Sequence, residues 1–184
     1  MDLAALEESD ATLRTDIWAI LTILLYVVIL RKTRIRSDWY FSEHIATSYE
    51  TIRISRFLLI GIAITLFCWF FGWYAYVQDV SLFTIVIFIV SEILLIGFSV
   101  VPFRGKSKKL HNYLAFSFAF TLPVIIVMIG LTSGLLIFSV SVAILQILLL
   151  CLSFLKSMSR WTLYLQTAYV GLYGLVLLIA TIMI

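Results

Sequence analysis

Read along its length, the chain sets long runs of apolar residues between short polar or basic breaks. Six spans emerge, at about 13–31, 56–78, 80–103, 110–132, 134–155 and 160–184. Each suits a bilayer, which a helix crosses in about 20 residues. The first apolar core, Ile17–Leu30, covers only about 21 Å at about 1.5 Å per residue, so its helix is expected to start near Leu13, with Arg14 and Asp16 at the interface. The apolar run from Leu110 to Leu155 is too long for one crossing, and Thr132-Ser133-Gly134 supplies the turn that divides it. These runs are continuously apolar, whereas barrel strands alternate. The fold class expected is therefore all-α: a polytopic membrane protein, one domain over 1–184 built as a bundle of six transmembrane helices. No internal repeat or low-complexity linker interrupts it.

Composition strengthens this reading. The 184 residues are 63% hydrophobic and 12% charged. Soluble domains run at about 45–50% apolar and about 25% charged, so lipid is the natural solvent for this chain. The two His and two Cys form neither a CxxC nor an HExxH motif, which argues against a structural zinc site. No cofactor or metal is expected. Cys68 and Cys151 sit about 18 Å and about 6 Å into their spans. That depth difference is too large for a disulfide.

Charge then sets an orientation. Arg31, Lys32, Arg34, Arg36, Arg53 and Arg56 surround the first loop. Arg104, Lys106, Lys108 and Lys109 fill the third, and Lys156 and Arg160 the fifth. Of the 13 Lys and Arg, Arg14 alone lies on the other side. Cytoplasmic loops collect Lys and Arg. The expected location is the cell (cytoplasmic) membrane, multi-pass, with the basic loops cytoplasmic and both termini outside. The residues before the first run are acidic (Asp2, Glu7, Glu8, Asp10), and the basic cluster follows it. A retained anchor is expected there, since a signal peptide starts basic.

The cytoplasmic segment 32–55 is the one sizeable soluble stretch. Trp39, Tyr40 and Phe41 suit the headgroup region. From Ser42 to Arg56 the pattern predicts a helix, either interfacial or a continuation of the second span. Ile45, Tyr49 and Ile52 would be shielded on one face and Glu50 exposed. The basic cluster reads as topology signalling or as a surface for anionic lipid.

Inside the membrane one ionisable residue stands out. Glu92 lies 11 residues from both Ser81 and Phe103, near the midplane. A charge there costs about 2.5–3.5 kcal/mol on insertion scales, so Glu92 should face the interior, as a functional group or as interhelical glue. Ser99 shares its face. Gln146, at similar depth, is the expected partner, on a stripe with Ser139 and Ser153. Thr162, Gln166, Tyr169 and Tyr173 form a third stripe. The candidate intramembrane site is Glu92, Gln146, Ser99, Ser139 and Tyr173. The candidate cytoplasmic rim is His44, His111, Arg56 and Gln166, its histidines expected to be solvated. Gly61, Thr65, Cys68 and Gly72 form a small-residue face expected to pack closely against another helix. Pro123 is expected to kink the fourth span.

Two stretches carry a family resemblance. One is Ser42-Glu43-His44, followed about a dozen residues later by the second span. The other is Ile96-Gly97-Phe98-Ser99-Val100-Val101-Pro102-Phe103, then a short basic loop and His111. Over roughly 40–131 the chain resembles six-span prokaryotic membrane proteins of the domain-of-unknown-function 998 family, themselves distantly similar to FRAG/DRAM/SFK proteins. The family has Leu-Gly after Ser-Glu where this chain has His44-Ile45. The resemblance implies a six-helix bundle and lipid handling, and no catalytic residue. Three function classes follow. The first is a non-enzymatic membrane protein that organises lipid or scaffolds a membrane partner. The second is a small proton-coupled transporter using Glu92. The third is an intramembrane lipid-modifying enzyme. The expected partners are membrane lipid and a membrane-protein partner or second copy, not nucleic acid.

Overall fold

The computed structural model describes the backbone from Leu3 to Met183 and the side chains from Asp16 to Met183. Arg14, the acidic residues before it and the close of the last span at Ile184 fall outside the described side chains. Within the described residues all regular structure is helical. Helix α1 spans Leu3–Lys32, α2 Phe41–Ile45 and α3 Tyr49–Trp69. A wider π-helical turn, Phe70–Tyr74, carries α3 into α4 (Ala75–Val77). Helices α5 (Leu82–Val100), α6 (Lys108–Thr132), α7 (Leu136–Phe154) and α8 (Thr162–Met183) complete the chain. Among the described residues five rods are long and apolar enough to cross a membrane: Tyr49–Val77, Leu82–Val100, Gly105–Thr132, Leu136–Phe154 and Lys156–Met183.

The expected boundaries shift for local reasons. The helix foreseen over 42–56 is broken in two. Ser48 accepts the Thr51 N–H at 3.1 Å and so starts α3 at Tyr49. The break turns Tyr49 outward, 79% exposed, so it does not share a shielded face with Ile45 and Ile52, and of the three Ile52 alone is buried. Glu50 is exposed and reaches Lys32 at 2.6 Å. Ser81 caps α5 in the same way through the Thr84 N–H, at 3.2 Å. The α6–α7 turn falls on 133–135, where Gly134 takes a φ of +73°, a conformation costly for residues with a Cβ. Pro123 lies inside α6, which runs unbroken through it.

The long helices close a ring. α1 packs on α3, α3 on α5, α5 on α6, α6 on α7, α7 on α8, and α8 returns to α1. The ring's polarity is inverted relative to a soluble fold. Its outer surface carries Ile20, Phe57, Ile93, Leu148 and Ile137, the last 86% exposed. Glu92, Ser91, Ser139 and Gln146 are buried inside. This is the arrangement lipid favours, where apolar side chains face the solvent and polar ones seek partners between helices.

Aromatic side chains position the bundle's interior. At the end away from the basic loops, the π turn swings Phe70 onto Phe88 of α5, with ring centroids 3.9 Å apart and nearly parallel. The Tyr74 hydroxyl donates to the Ile129 carbonyl at 3.1 Å and meets Thr132. Trp69 donates to Thr181 of α8 at 3.1 Å. The closest helix approaches involve glycines outside the expected stripe. A Cβ at Gly130 would sit 2.4 Å from Ser139, and one at Gly174 would sit 2.6 Å from the Trp18 ring. The small-residue face of α3 packs at one end: Gly61 faces Leu21 of α1, and Cys68 and Gly72 are exposed. The buried face of α3 is instead large and apolar, with Leu58, Ile62, Leu66 and Trp69, because large side chains fill the ring's interior.

Candidate functional site

The ring holds a partly open cavity of about 240 Å³ that α1, α2, α3, α5, α6, α7 and α8 all line. Its inner end is formed by Trp18, Leu66, Leu122, Tyr169 and Tyr173, and its outer end by Phe41, Ser42, Pro102, Phe103 and His111. The walls between are mainly aliphatic and aromatic. The polar groups are neutral, among them Ser55, Ser99, Ser153 and Gln166.

Segment 37–46, with α2 at its centre, lies across the outer end like a lid. Each anchor is a polar group answering a backbone group freed by a helix end or loop. The Phe41 N–H donates to Gln166 Oε1 at 2.8 Å, and the Leu163 N–H to the Ser37 carbonyl at 3.1 Å. The Tyr40 hydroxyl donates to the Ser153 carbonyl at 3.3 Å. Arg104 donates twice to the Ala46 carbonyl, at 2.8 and 3.2 Å. Phe41 stacks on Tyr26 of α1 at 4.2 Å. Burial, and then the neighbouring Glu43 carboxylate, hold the Tyr40 hydroxyl above its ordinary pKa. Beside the lid, Arg36 bonds both oxygens of Asp38 at 3.3 and 2.9 Å, which holds that carboxyl below its ordinary pKa. These contacts bring the first, third and fifth basic loops to one end of the bundle.

The rim residues take structural posts. The two histidines were expected in solvent, and both are buried. His44 is 0% exposed. Its Nε2 donates to the Arg36 carbonyl at 3.0 Å, and Nδ1 pairs with the Thr33 hydroxyl at 3.2 Å. His111 Nδ1 donates to the Val101 carbonyl at 2.7 Å, with the ring edge-on to Phe98 and Phe103. Both rings satisfy carbonyls at chain turns, which outweighs exposure. Arg56 reaches the C-terminal carbonyl of Val100 in α5 at 2.9 Å, a position the helix dipole favours for a cation. Of the four, Gln166 tethers the lid from α8, and His44, within the lid, ties it to the end of α1 through Thr33.

Deeper in, a belt of polar contacts ties the ring. Thr121 donates to Ser91 at 3.0 Å. The Tyr169 hydroxyl meets the Ala119 carbonyl. Gln146 Nε2 donates to the Tyr169 carbonyl at 2.9 Å. Glu92 faces the interior, 6% exposed. Its expected bond to Gln146 is not formed; the Gln146 Nε2 donates to the Tyr169 carbonyl instead. The group in electrostatic reach of Glu92 is Tyr173, which lines the cavity floor. Glu92 Oε2, Gln146 Oε1, Ser139 Oγ and Trp18 Nε1 are buried without a hydrogen-bond partner among the described residues. Ser99 lines the cavity and turns its hydroxyl back to the Ile96 carbonyl at 2.7 Å. Among the described residues no three His, Cys, Asp or Glu stand close enough to hold a metal.

Comparison of the chain with protein-family models, with curated proteins and with solved structures finds no match.

The cavity itself is absent from the sequence reading. Its walls come from apolar and aromatic positions, such as Trp18, Tyr26, Leu122 and Leu149, that look like ordinary membrane-span residues. Only ring closure reveals that they face a space. The sequence signals were the Thr162–Gln166–Tyr169–Tyr173 stripe, three of whose members line it, and Ser99 and Ser153 on the other two stripes.

Proposed function

We propose that this chain is a six-span, non-enzymatic integral membrane protein of the cell membrane that holds a lipid inside its helix bundle. One observation carries the reading: an apolar cavity of about 240 Å³ at the centre of the ring, roofed by a lid at the basic end. Pockets of this kind, mainly apolar with a few neutral polar groups, suit lipophilic ligands. Burial of both histidines against backbone carbonyls argues against catalysis at the rim. Helix α1 serves as the sixth span, because it closes the ring and lines the cavity with Trp18, Thr22, Leu25 and Tyr26.

In this reading the basic end is cytoplasmic and both termini are outside. Single cysteines in a background lacking Cys68 and Cys151 test it. Positions Asp79 and Ser133 should react with an impermeant reagent from outside the cell, and Ser107 should not. The reversed pattern refutes the orientation.

A diazirine-tagged acyl lipid in proteoliposomes tests the cavity. Cross-links should map to the lining residues Phe116 and Leu149 as well as to the outward-facing Ile144 and Leu148. The variant Ala115→Phe, which fills the space, should remove only the interior set. Labelling confined to outer residues in the wild-type protein overturns the proposal.

A second reading, a proton-coupled carrier, is favoured by one feature: the buried Oε2 of Glu92 has no partner, and unmatched intramembrane carboxyls are typical of proton relays. It requires that Glu92→Gln abolish a pH-gradient-driven flux in proteoliposomes while the protein stays folded.

A further inference from the structure

What the cavity takes follows from its size and from the charge at its mouth, and rests on the reading that it holds a lipid. An apolar cavity of about 150 Å³ accepts benzene, at about 25 Å³ per carbon. The space of about 240 Å³ therefore holds about ten carbons of chain, so the lipid is a short-chain one. No Asp, Glu, Lys or Arg lines the space, and a charged head inside it would have nothing to pair with. Such a head has to stay at the outer end.

That end is where the charge lies. Phe103, half-buried, lines the cavity there. It leads into the third loop, whose residues 104–109 include Arg104, Lys106, Lys108 and Lys109 and no acid. The Lys108 ammonium sits over the Phe103 ring, 4.4 Å from its centroid. Arg104 spends Nε and Nη2 on the carbonyl of Ala46, next in sequence to the lining residue Ile45. Its Nη1 has no partner among the described residues. Neither contact cancels a positive charge. The carboxylates of the first loop are engaged elsewhere: Asp38 by Arg36, Glu50 by Lys32, and Glu43 by the Tyr40 N–H. Among the described residues no acid pairs with the third loop. Two uncompensated cations therefore stand beside an apolar space. A phosphate, with its negative charge and several acceptor oxygens, complements both.

We propose that the cavity binds a short phosphate-headed amphiphile, its single chain of about ten carbons lying in the cavity and its phosphate held at the mouth by Arg104 and Lys108.

The test uses the full chain in phosphatidylcholine nanodiscs, with radiolabelled decyl phosphate as ligand and competitors compared at equal mole fraction in the membrane. One decyl phosphate should bind per protomer. Decanol has the chain without the charge, and should compete at least about tenfold less well, the worth of a hydrogen bond to a charged group. Hexadecyl phosphate should also lose at least about tenfold, because each methylene left in water forfeits about fourfold. Inorganic phosphate, the head without a chain, should not compete. Lys108→Gln should weaken decyl phosphate about tenfold and leave the binding of radiolabelled decanol unchanged, and Lys108→Arg should restore the wild-type affinity. Lys156→Gln, at the same basic end but on a loop that lines no part of the cavity, should have no effect. Ala115→Phe should abolish binding of both ligands.

Equal competition by decanol, or a Lys108→Gln protein that binds decyl phosphate as tightly as wild type, overturns the phosphate contact. Displacement by inorganic phosphate overturns the role of the chain, and equal competition by hexadecyl phosphate overturns its length. In each case a block by Ala115→Phe leaves the lipid cavity standing. If decyl phosphate does not bind, the inference fails, and the diazirine-lipid cross-links to Phe116 and Leu149 decide separately whether the cavity holds a lipid. Should Ala115→Phe misfold, a diazirine-tagged decyl phosphate on the wild-type protein takes its place: label at Phe116 supports the proposal, and label confined to Ile144 and Leu148 overturns it.

Discussion

Gly130→Ala is expected to destabilise the bundle by about 2–3 kcal/mol, the cost of forcing a methyl into a packed interface. The new Cβ would fall 2.4 Å from both Cβ and Oγ of Ser139, and 3.2 Å from the Leu135 carbonyl oxygen. No rotamer change relieves this, because the Cβ of Ser139 is fixed to the backbone of α7. Helix association in lipid rests largely on close van der Waals contact, so pushing α6 off α7 sacrifices much of that seam. Ser139→Gly in the same background removes both offending atoms. It breaks no hydrogen bond, since Ser139 Oγ has no partner among the described residues, and it costs about 1 kcal/mol in helix propensity. The double variant should recover more than half of the loss. Denaturant unfolding in micelles measures all three. A Gly130→Ala protein as stable as wild type would mean that α6 and α7 do not approach this closely.

Glu92 should respond to substitution by charge and not by hydrogen bonding. A carboxyl can enter the membrane interior in neutral form, but a guanidinium stays charged. Glu92→Arg is therefore expected to cost about 3 kcal/mol in the same unfolding assay. Glu92→Leu should cost almost nothing or stabilise, because a buried polar group without a partner contributes a penalty and not a bond. This revises the glue reading drawn from sequence, under which losing Glu92 would remove an interhelical contact worth about 1–2 kcal/mol. A Glu92→Leu loss above about 1 kcal/mol would show that the carboxyl is bonded after all. If Glu92→Leu folds well and flux or lipid binding fails, the carboxyl is retained for function.

Much of the candidate site was visible as stripes before it was visible as a place. Glu92, Ser99, Ser139, Gln146, Ser153, Tyr169 and Tyr173 were read from spacing as inward-facing, and all are buried. A helical period of 3.6 maps residues onto faces, and lipid penalises polar side chains on the outside. The pairing within those faces was not readable. Gln146 was matched to Glu92 by depth alone, but depth does not tell which helices adjoin, and the amide is held by the carbonyl of Tyr169 on α8.

By itself the amino-acid sequence determined that the chain is helical, that it carries long apolar runs, of which five helices among the described residues are long and apolar enough to cross a bilayer where six were read, and which faces of the fifth and sixth spans turn inward. Those properties depend on local composition and periodicity, so neighbours in sequence suffice to decide them. The tertiary structure alone decided the rest: the ring closed by α1 against α8, the lid formed by segment 37–46, the burial of His44 and His111, the Gly130–Ser139 contact and the cavity floored by Trp18. Each depends on atoms brought together from distant parts of the chain, such as the Phe41 N–H on Gln166 or the Gly174 backbone beneath Trp18. A cavity in particular is a property of the space between helices, and no single helix encodes it.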